Sequence, residues 1–253
     1  MIPLRVSALN SLVKCPAFAS LSMVADRTGS KAADSGTAAG RVCQIWHEKG
    51  EDALALSAAL EQAIDEVDAH PKADWDDVAK WCGGYASDPR NRGALLPGSC
   101  ERRVELTLGR FSLVGHVDQI RRGPHGGLTV WDIKSGKPGG RDMTFAYAWQ
   151  VSAYALACTE TLGEPVLPGG IIRLRSYAWN TRCKWDAEDL TTAPAFYAMP
   201  WDLAACREML EGAEFLLGQL EEGIVLQHPG THCQWCPGES PHLCGDRIAD
   251  AFA

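Results

Sequence analysis

The sequence predicts an α/β (α+β) protein whose mixed central sheet is flanked by helices. Three observations carry that expectation. The first hundred residues repeat apolar positions at helical spacing. Residues 102–134 then switch to three short alternating or β-branched segments, and the chain afterwards returns to helix, strand and helix.

In chain order, residues 6–24 read as a short helix entered at Ser7 or Asn10 and carrying Cys15-Pro16. Residues 26–36, rich in Gly, Ser, Asp and Ala, read as a loop. A helix from about Thr37 to Lys49 is ended by Gly50, the residue type that best tolerates a left-handed helix end. Leu54, Leu56, Leu60, Ile64 and Val67 recur at three-to-four spacing, which makes 51–69 an amphipathic helix. A further helix over 74–82 is expected to stop at Gly83-Gly84, and the prolines and glycines of 87–99 make a loop. From residue 101 the pattern changes. RRVELTL (102–108), FSLVGHVDQI (111–120) and LTVWDIK (128–134), separated by short glycine-containing turns, predict a three-stranded meander. A helix over 142–160, a strand over 169–177 and a last helix over 202–222 complete the order, ahead of a cysteine-rich tail. The whole reads as one domain, 1–253, with a helical part (1–100), a core (101–180) and a C-terminal helix with cysteines (202–253).

Hydrophobic residues make up 46% of the 253 and charged residues 22%, an ordinary globular balance. No run of about 18 apolar residues is present, and MIPLRVSALNSL lacks the apolar segment of a secretory signal, so a cytoplasmic protein without a membrane partner is expected. The net charge of −8 argues against a uniformly basic nucleic-acid coat protein. It leaves room for a local basic groove, and Arg102, Arg103, Arg121, Arg122, Lys134, Lys137 and Arg141 fall in one stretch, although each taken singly also suits a solvated surface. Ten cysteines without an export signal do not suggest a disulfide framework. Cys43, Cys82, Cys100, Cys158, Cys183 and Cys206 are scattered among apolar neighbours and read as small core residues.

The chemistry concentrates in the meander. Side chains alternate along a strand, so Asp132 and Lys134 point to one face and Trp131 and Ile133 to the other. Pairing with the preceding strand would bring Asp118 beside Asp132. Two carboxylates together are costly to bury without a cation, and Mg2+ or Mn2+ relieves that repulsion through oxygen ligands. Taken alone, the same residues also describe two strand-end aspartates and an exposed lysine.

More of the pattern is present. GHVDQI, then WDIKSGK with its aspartate fourteen residues on, then QVSAY on the next helix, resembles the RecB-like branch of the PD-(D/E)XK nucleases. SALNSLVKCPAF (7–18) looks like that family's N-terminal Cys-Pro element, and SGTAAG (35–40) looks like its G-T-x-x-H helix. The resemblance implies a restriction-endonuclease-like core with Asp118, Asp132 and Lys134 as catalytic residues. It implies a metal held by Asp118, Asp132 and the backbone carbonyl of Ile133, with Gln150 and Tyr154 contacting the substrate strand. One position departs: the family's helix histidine falls at Gly40. His47, seven residues along, is about 10 Å away on an ideal helix and reads as a helix-surface residue. Glu105 and His116 are other possible donors, His116 sharing a strand face with Asp118.

The tail CQWCPGESPHLC places Cys233, Cys236 and Cys244 close together, and three thiolates need a fourth donor. Cys15, in the Cys-Pro element, is the candidate. This one-plus-three arrangement resembles that of the CRISPR-associated iron–sulfur exonucleases and the nuclease domains of AddAB-type helicase–nucleases. It implies a structural 4Fe–4S cluster clasping the two ends of the chain. Zinc is the competing assignment, with His232 and His242 as further donors. Trp235, between two of the cysteines, is expected to pack over the cluster, and most other tryptophans to be core. The expected activity is Mg2+- or Mn2+-dependent hydrolysis of DNA, as an exonuclease on single-stranded ends. A protein partner in recombination, repair or CRISPR adaptation fits the same reading. The alternative is a catalytically impaired nuclease fold that binds DNA or protein.

Overall fold

In the computed structural model, which describes residues 2–9, 12, 15, 30–66, 71–109, 111–123, 126–135, 141–179, 196–198 and 202–222, the first long helix begins six residues before the expected start at Thr37. Helix α1 spans Lys31–Lys49 because the Ser30 side chain accepts a hydrogen bond from the Ala33 N–H, capping a start that composition alone reads as loop. Gly50, at φ 116°, ends it as expected. Asp52 caps α2 (Ala53–Asp65) and Asp74 caps α3 (Trp75–Ser87), each accepting from a backbone N–H three residues on. Helix α3 runs straight through Gly83-Gly84, contrary to expectation. A Cβ on Gly84 would sit 2.6 Å from Tyr177 Cβ, so this glycine serves close packing and does not stop the helix.

Internal contacts divide the chain into two compact units. One comprises Met1–Arg27, Glu105–Gly115 and Asp202–Ala253; the other comprises Thr28–Val104 and His116–Trp201. In the first, Ile2–Arg5 form strand β1, parallel to β3 (Phe111–Val117), in a sheet ordered β1-β3-β2 with β2 at Arg102–Leu108. The expected helix from residue 6 opens with a 3-10 turn, Val6–Ala8, Leu9 and Leu12 are helical, and most of 10–24 lies outside the described residues. Asp202 accepts from the N–H groups of Ala204 and Ala205 to start α6 (Leu203–Glu221). That helix buries Cys206, Leu210, Ala213 and Leu217, a stripe at helical spacing.

The second unit is built on a mixed sheet ordered β4-β5-β6-β7. Here β4 is Gln119–Arg122, β5 Leu128–Lys134, β6 Val166–Arg173 and β7 Phe196–Ala198. Pairs β4/β5 and β6/β7 are antiparallel and β5/β6 is parallel. The expected three-stranded meander is therefore corrected: its middle strand divides at Asp118 between two different sheets. The expected strand 169–177 is likewise divided. It pairs as β6 only to Arg173, after which Leu174–Trp179 turns into helix α5 and buries Leu174 and Tyr177. Gly169 admits the Trp131 indole, which a Cβ would meet at 2.5 Å, beside the register shift between Val130 and Trp131. On one face of the sheet Trp131, Ile133 and Ile172, together with Leu174 of α5, join the apolar core of α1, α2 and α3. On the other face, where Asp132 points, lies α4 (Arg141–Leu162). Within the core the rings of Trp46, Tyr85 and Tyr177 meet edge to face at 5.7 and 5.8 Å, each such pair adding about 0.5–1.5 kcal/mol beyond area burial.

Of the scattered cysteines expected in the core, four are buried, Cys100 is half-buried, and Cys183 lies outside the described residues. Cys43, Cys82, Cys158 and Cys206 are buried, and burial above all pushes the thiols of Cys100, Cys158 and Cys206 up to about 12.

His47 corrects the expectation of a surface residue. Its side chain is only 4% exposed and sits in a buried polar network. Nδ1–H donates to Glu51 Oε1 at 2.8 Å, and Nε2 accepts from the Tyr85 hydroxyl at 2.7 Å. The Tyr85 hydroxyl in turn accepts from Gln119 Nε2 and the Arg121 guanidinium. Burial, with Arg121 adding to it and Glu51 opposing, holds the His47 imidazole below its ordinary value, so the folded protein carries it neutral. The unfolded chain protonates it near pH 6.5. Its contribution to stability is therefore complete above about pH 6.5 and is lost as pH falls from there through the folded value. Thermal unfolding followed from pH 7.5 to 5.5 should show a steeper loss in wild type than in His47→Gln; equal slopes would count against it.

Candidate active site

Antiparallel pairing sets Gln119 opposite Trp131, and carrying that register one step back sets Asp118 opposite Asp132. The Asp118 carboxylate turns inward onto the neighbouring strand, where its Oδ2 accepts from the Ile133 N–H at 2.5 Å. Asp132 is 2% exposed; its Oδ1 accepts from Gln150 Nε2 at 3.3 Å, and its Oδ2 lies 2.5 Å from the Lys134 ammonium. That last contact is a close ion pair onto a buried carboxylate. Lys134 keeps 26% of its side chain exposed, with Nζ 5.5 Å from the centre of the Tyr147 ring. Gln150 and Tyr154, one helical turn apart on α4, are both largely buried beside this group.

The electrostatics show a site built around negative charge. Burial first, and then the neighbouring Asp132, push the Asp118 carboxyl well above the usual carboxylate range. For Lys134 burial acts first and favours the neutral amine, but Asp132 and Asp118 outweigh it, and the ammonium is held more firmly charged than an ordinary lysine. Tyr154 is held neutral by burial and then by the two aspartates. The ammonium is placed to orient a water and to offset negative charge.

Asp118, Asp132, Lys134, Gln150 and Tyr154 are thus assembled in one place. Of Ile133 it is the N–H, bound to Asp118, that is engaged here. One member was not anticipated. Tyr147 lies under the lysine, and its signal was only its position one turn before Gln150. Gly36 brings the start of α1 against the end of β5, since a Cβ there would sit 2.3 Å from Ser135 Oγ. A Cβ at Gly40 would meet nothing within 4 Å, so this position leaves open space. Arg121 is corrected: it is 5% exposed and lies in the interior network, so it is no part of an exposed basic groove. His116 is exposed. Cys15 is buried, while Cys233, Cys236 and Cys244 lie outside the described residues, as do Lys137, Trp201 and Trp235.

The donor set suits a hard divalent ion. Mg2+ characteristically binds through one or two carboxylates plus water and substrate phosphate, and the pair here supplies two carboxylates beside the Lys134 ammonium. Among the described residues no three His, Cys, Asp or Glu side chains converge on one point, so this pair with water is the fitting arrangement. No helix among the described residues is long and apolar enough to cross a membrane.

The family model of the PD-(D/E)XK nuclease superfamily matches residues 3–240, nearly the whole chain. No curated protein matches the sequence.

Proposed function

The chain belongs to the PD-(D/E)XK nuclease superfamily, and on that premise we propose that it hydrolyses DNA with Mg2+ or Mn2+ as an exonuclease of the RecB-like branch, acting on single-stranded ends. The observation that carries this reading is the Asp118–Asp132 pair, half-buried and buried respectively, with the Lys134 ammonium against Asp132. Asp118 and Asp132 would hold the cation, aided by the Ile133 carbonyl. Once bound, that ion supplies Lewis acidity to the phosphate and its attacking water. Lys134, firmly charged, orients that water and offsets charge developing on the phosphoryl oxygens. Gln150 holds Asp132 in place and, with Tyr154, faces the substrate strand.

Cys15, Cys233, Cys236 and Cys244 are proposed to hold a 4Fe–4S cluster with a structural role, closing a loop of most of the chain. Zinc is the competing occupant. A cytoplasmic place and a protein partner in recombination, repair or CRISPR adaptation fit this function.

The test uses anaerobically purified protein, assayed for iron, sulfide and zinc, and incubated with Mn2+ or Mg2+ and end-labelled single- and double-stranded DNA. Metal-dependent loss of label from single-stranded ends, blocked by EDTA, is expected. The second reading, a nuclease fold that binds without cutting, is favoured by one observation, the open space at Gly40. DNA retained but never cleaved with either metal would establish it in place of the first.

A further inference from the structure

Tyr147 lies on α4 one turn before Gln150 and two turns before Tyr154, so the three side chains share one face of that helix. Gln150 fixes that face to the site, since its Nε2 donates to Asp132 Oδ1 at 3.3 Å. The same helix holds the half-buried Tyr147 ring against Lys134, whose Nζ lies over the ring, 5.5 Å from its centre. That distance is within the roughly 6 Å at which an aromatic face attracts an ammonium. Lys134 thus meets two negative partners, the Asp132 carboxylate at 2.5 Å and the electron-rich face of the ring. A lysine stem is flexible, and 26% of this side chain is exposed, so the ammonium stays in the site only while something there attracts it.

We propose that Tyr147 is a positioning residue of the active site, its ring holding the Lys134 ammonium in place when Asp132 is engaged by the divalent ion. This rests on the reading of the site as that of a metal-dependent nuclease. In the metal-free protein the Asp132 carboxylate is enough to hold the ammonium. An ion on Asp132 offsets that attraction and sets a second positive charge beside the lysine, which favours movement of the ammonium toward solvent. The ring carries no formal charge and takes no ligand from the ion, so its attraction persists in the loaded site. A carboxylate in its place would compete for the ion itself. An aliphatic side chain would keep the packing and lose the attraction. The hydroxyl is not required, because the attraction comes from the ring face, which phenylalanine also presents.

The experiment compares full-length wild type, Tyr147→Phe, Tyr147→Leu, Lys134→Met and the double variant carrying Tyr147→Leu and Lys134→Met. Circular dichroism confirms that each is folded, and cleavage of end-labelled single-stranded DNA is followed with Mg2+. Tyr147→Leu should lower kcat about 10-fold with little change in KM, and Tyr147→Phe should stay within about 3-fold of wild type. Added to Lys134→Met, Tyr147→Leu should cost nothing more, since the ring acts only through the ammonium. A second readout needs no activity: nuclear magnetic resonance of protein carrying isotopically labelled lysine. The protons on the Lys134 carbon next to the ammonium, assigned by their loss in Lys134→Met, should lie upfield in wild type and Tyr147→Phe, with and without Mg2+. In Tyr147→Leu that ring-induced shift should vanish. A Lys134 signal that does not respond to Tyr147→Leu would refute the role of Tyr147 while the nuclease reading stands. Equal loss of kcat in Tyr147→Phe and Tyr147→Leu would also refute it, by assigning the effect to the hydroxyl. A raised KM at unchanged kcat would refute it in favour of a nucleobase stacked on the ring. A further loss in the double variant would refute it as well. A wild type that shows the shift but cleaves no DNA would overturn the nuclease reading, and the role of Tyr147 with it.

Discussion

Asp132→Asn should lower metal-dependent cleavage of single-stranded DNA by about 10²–10³-fold, and Lys134→Met should do the same for a different reason. Asparagine keeps the shape of the side chain but removes the negative charge that a divalent ion needs, so Mn2+ affinity falls together with activity. Methionine keeps the aliphatic stem and leaves both carboxylates, so Mn2+ still binds while turnover is lost. The two variants also part on stability. Asp118 is pushed up by burial and by the Asp132 charge, a conflict that costs the metal-free protein stability at neutral pH and is relieved as Asp118 protonates. Asp132→Asn removes that conflict and should unfold at a temperature equal to or above wild type without metal. Lys134→Met strands a nearly fully buried carboxylate without its counter-charge, so it should unfold earlier and be rescued by Mn2+. Full cleavage by both variants would retire the assignment of this site. Loss of activity with matching losses of stability would show that only the fold had been damaged.

Arg121→Met should destabilise the protein by about 3–5 kcal/mol, because it breaks a buried network from one side. The Arg121 guanidinium donates to Gln119 Oε1 at 2.7 Å, Asn91 Oδ1 at 2.7 Å, the Tyr85 hydroxyl at 3.1 Å and the Arg90 carbonyl at 3.1 Å. Asn91 Nδ2 further donates to Tyr177, whose hydroxyl donates to Asp88, an acid also paired with Arg90. Methionine fills similar volume but supplies no donors, and the acceptors are too deep for water to replace them. Urea denaturation measures the loss. The same variant, compared under conditions where it is fully folded, should bind DNA with the salt dependence of wild type, since a buried guanidinium neutralises no phosphate. Unchanged stability with a shallower salt dependence would return Arg121 to the surface groove that composition suggested.

The contrast between these residues shows where sequence reading succeeds. Asp132 and Lys134 were legible because strand alternation fixes which neighbours share a face, whatever the rest of the fold does. Gln150 and Tyr154 were legible because i,i+4 spacing does the same for a helix, and the caps at Asp52 and Asp74 act within three residues. Arg121 was misread because its partners come from residues 85 to 119, and no local pattern distinguishes a buried arginine from an exposed one. His47 was misread for the same reason, its second partner being Tyr85, thirty-eight residues away.

By itself the amino-acid sequence determined the α+β order, the face shared by Asp132 and Lys134, and the family motifs, since each depends on spacing along the chain. Tertiary structure alone decided that the chain changes sheets at Asp118, that Gly84 is a packing site inside a helix, and that Arg121 and His47 are interior. Those outcomes depend on which distant surfaces meet, because burial and long-range hydrogen bonds reset what a polar side chain or a glycine does.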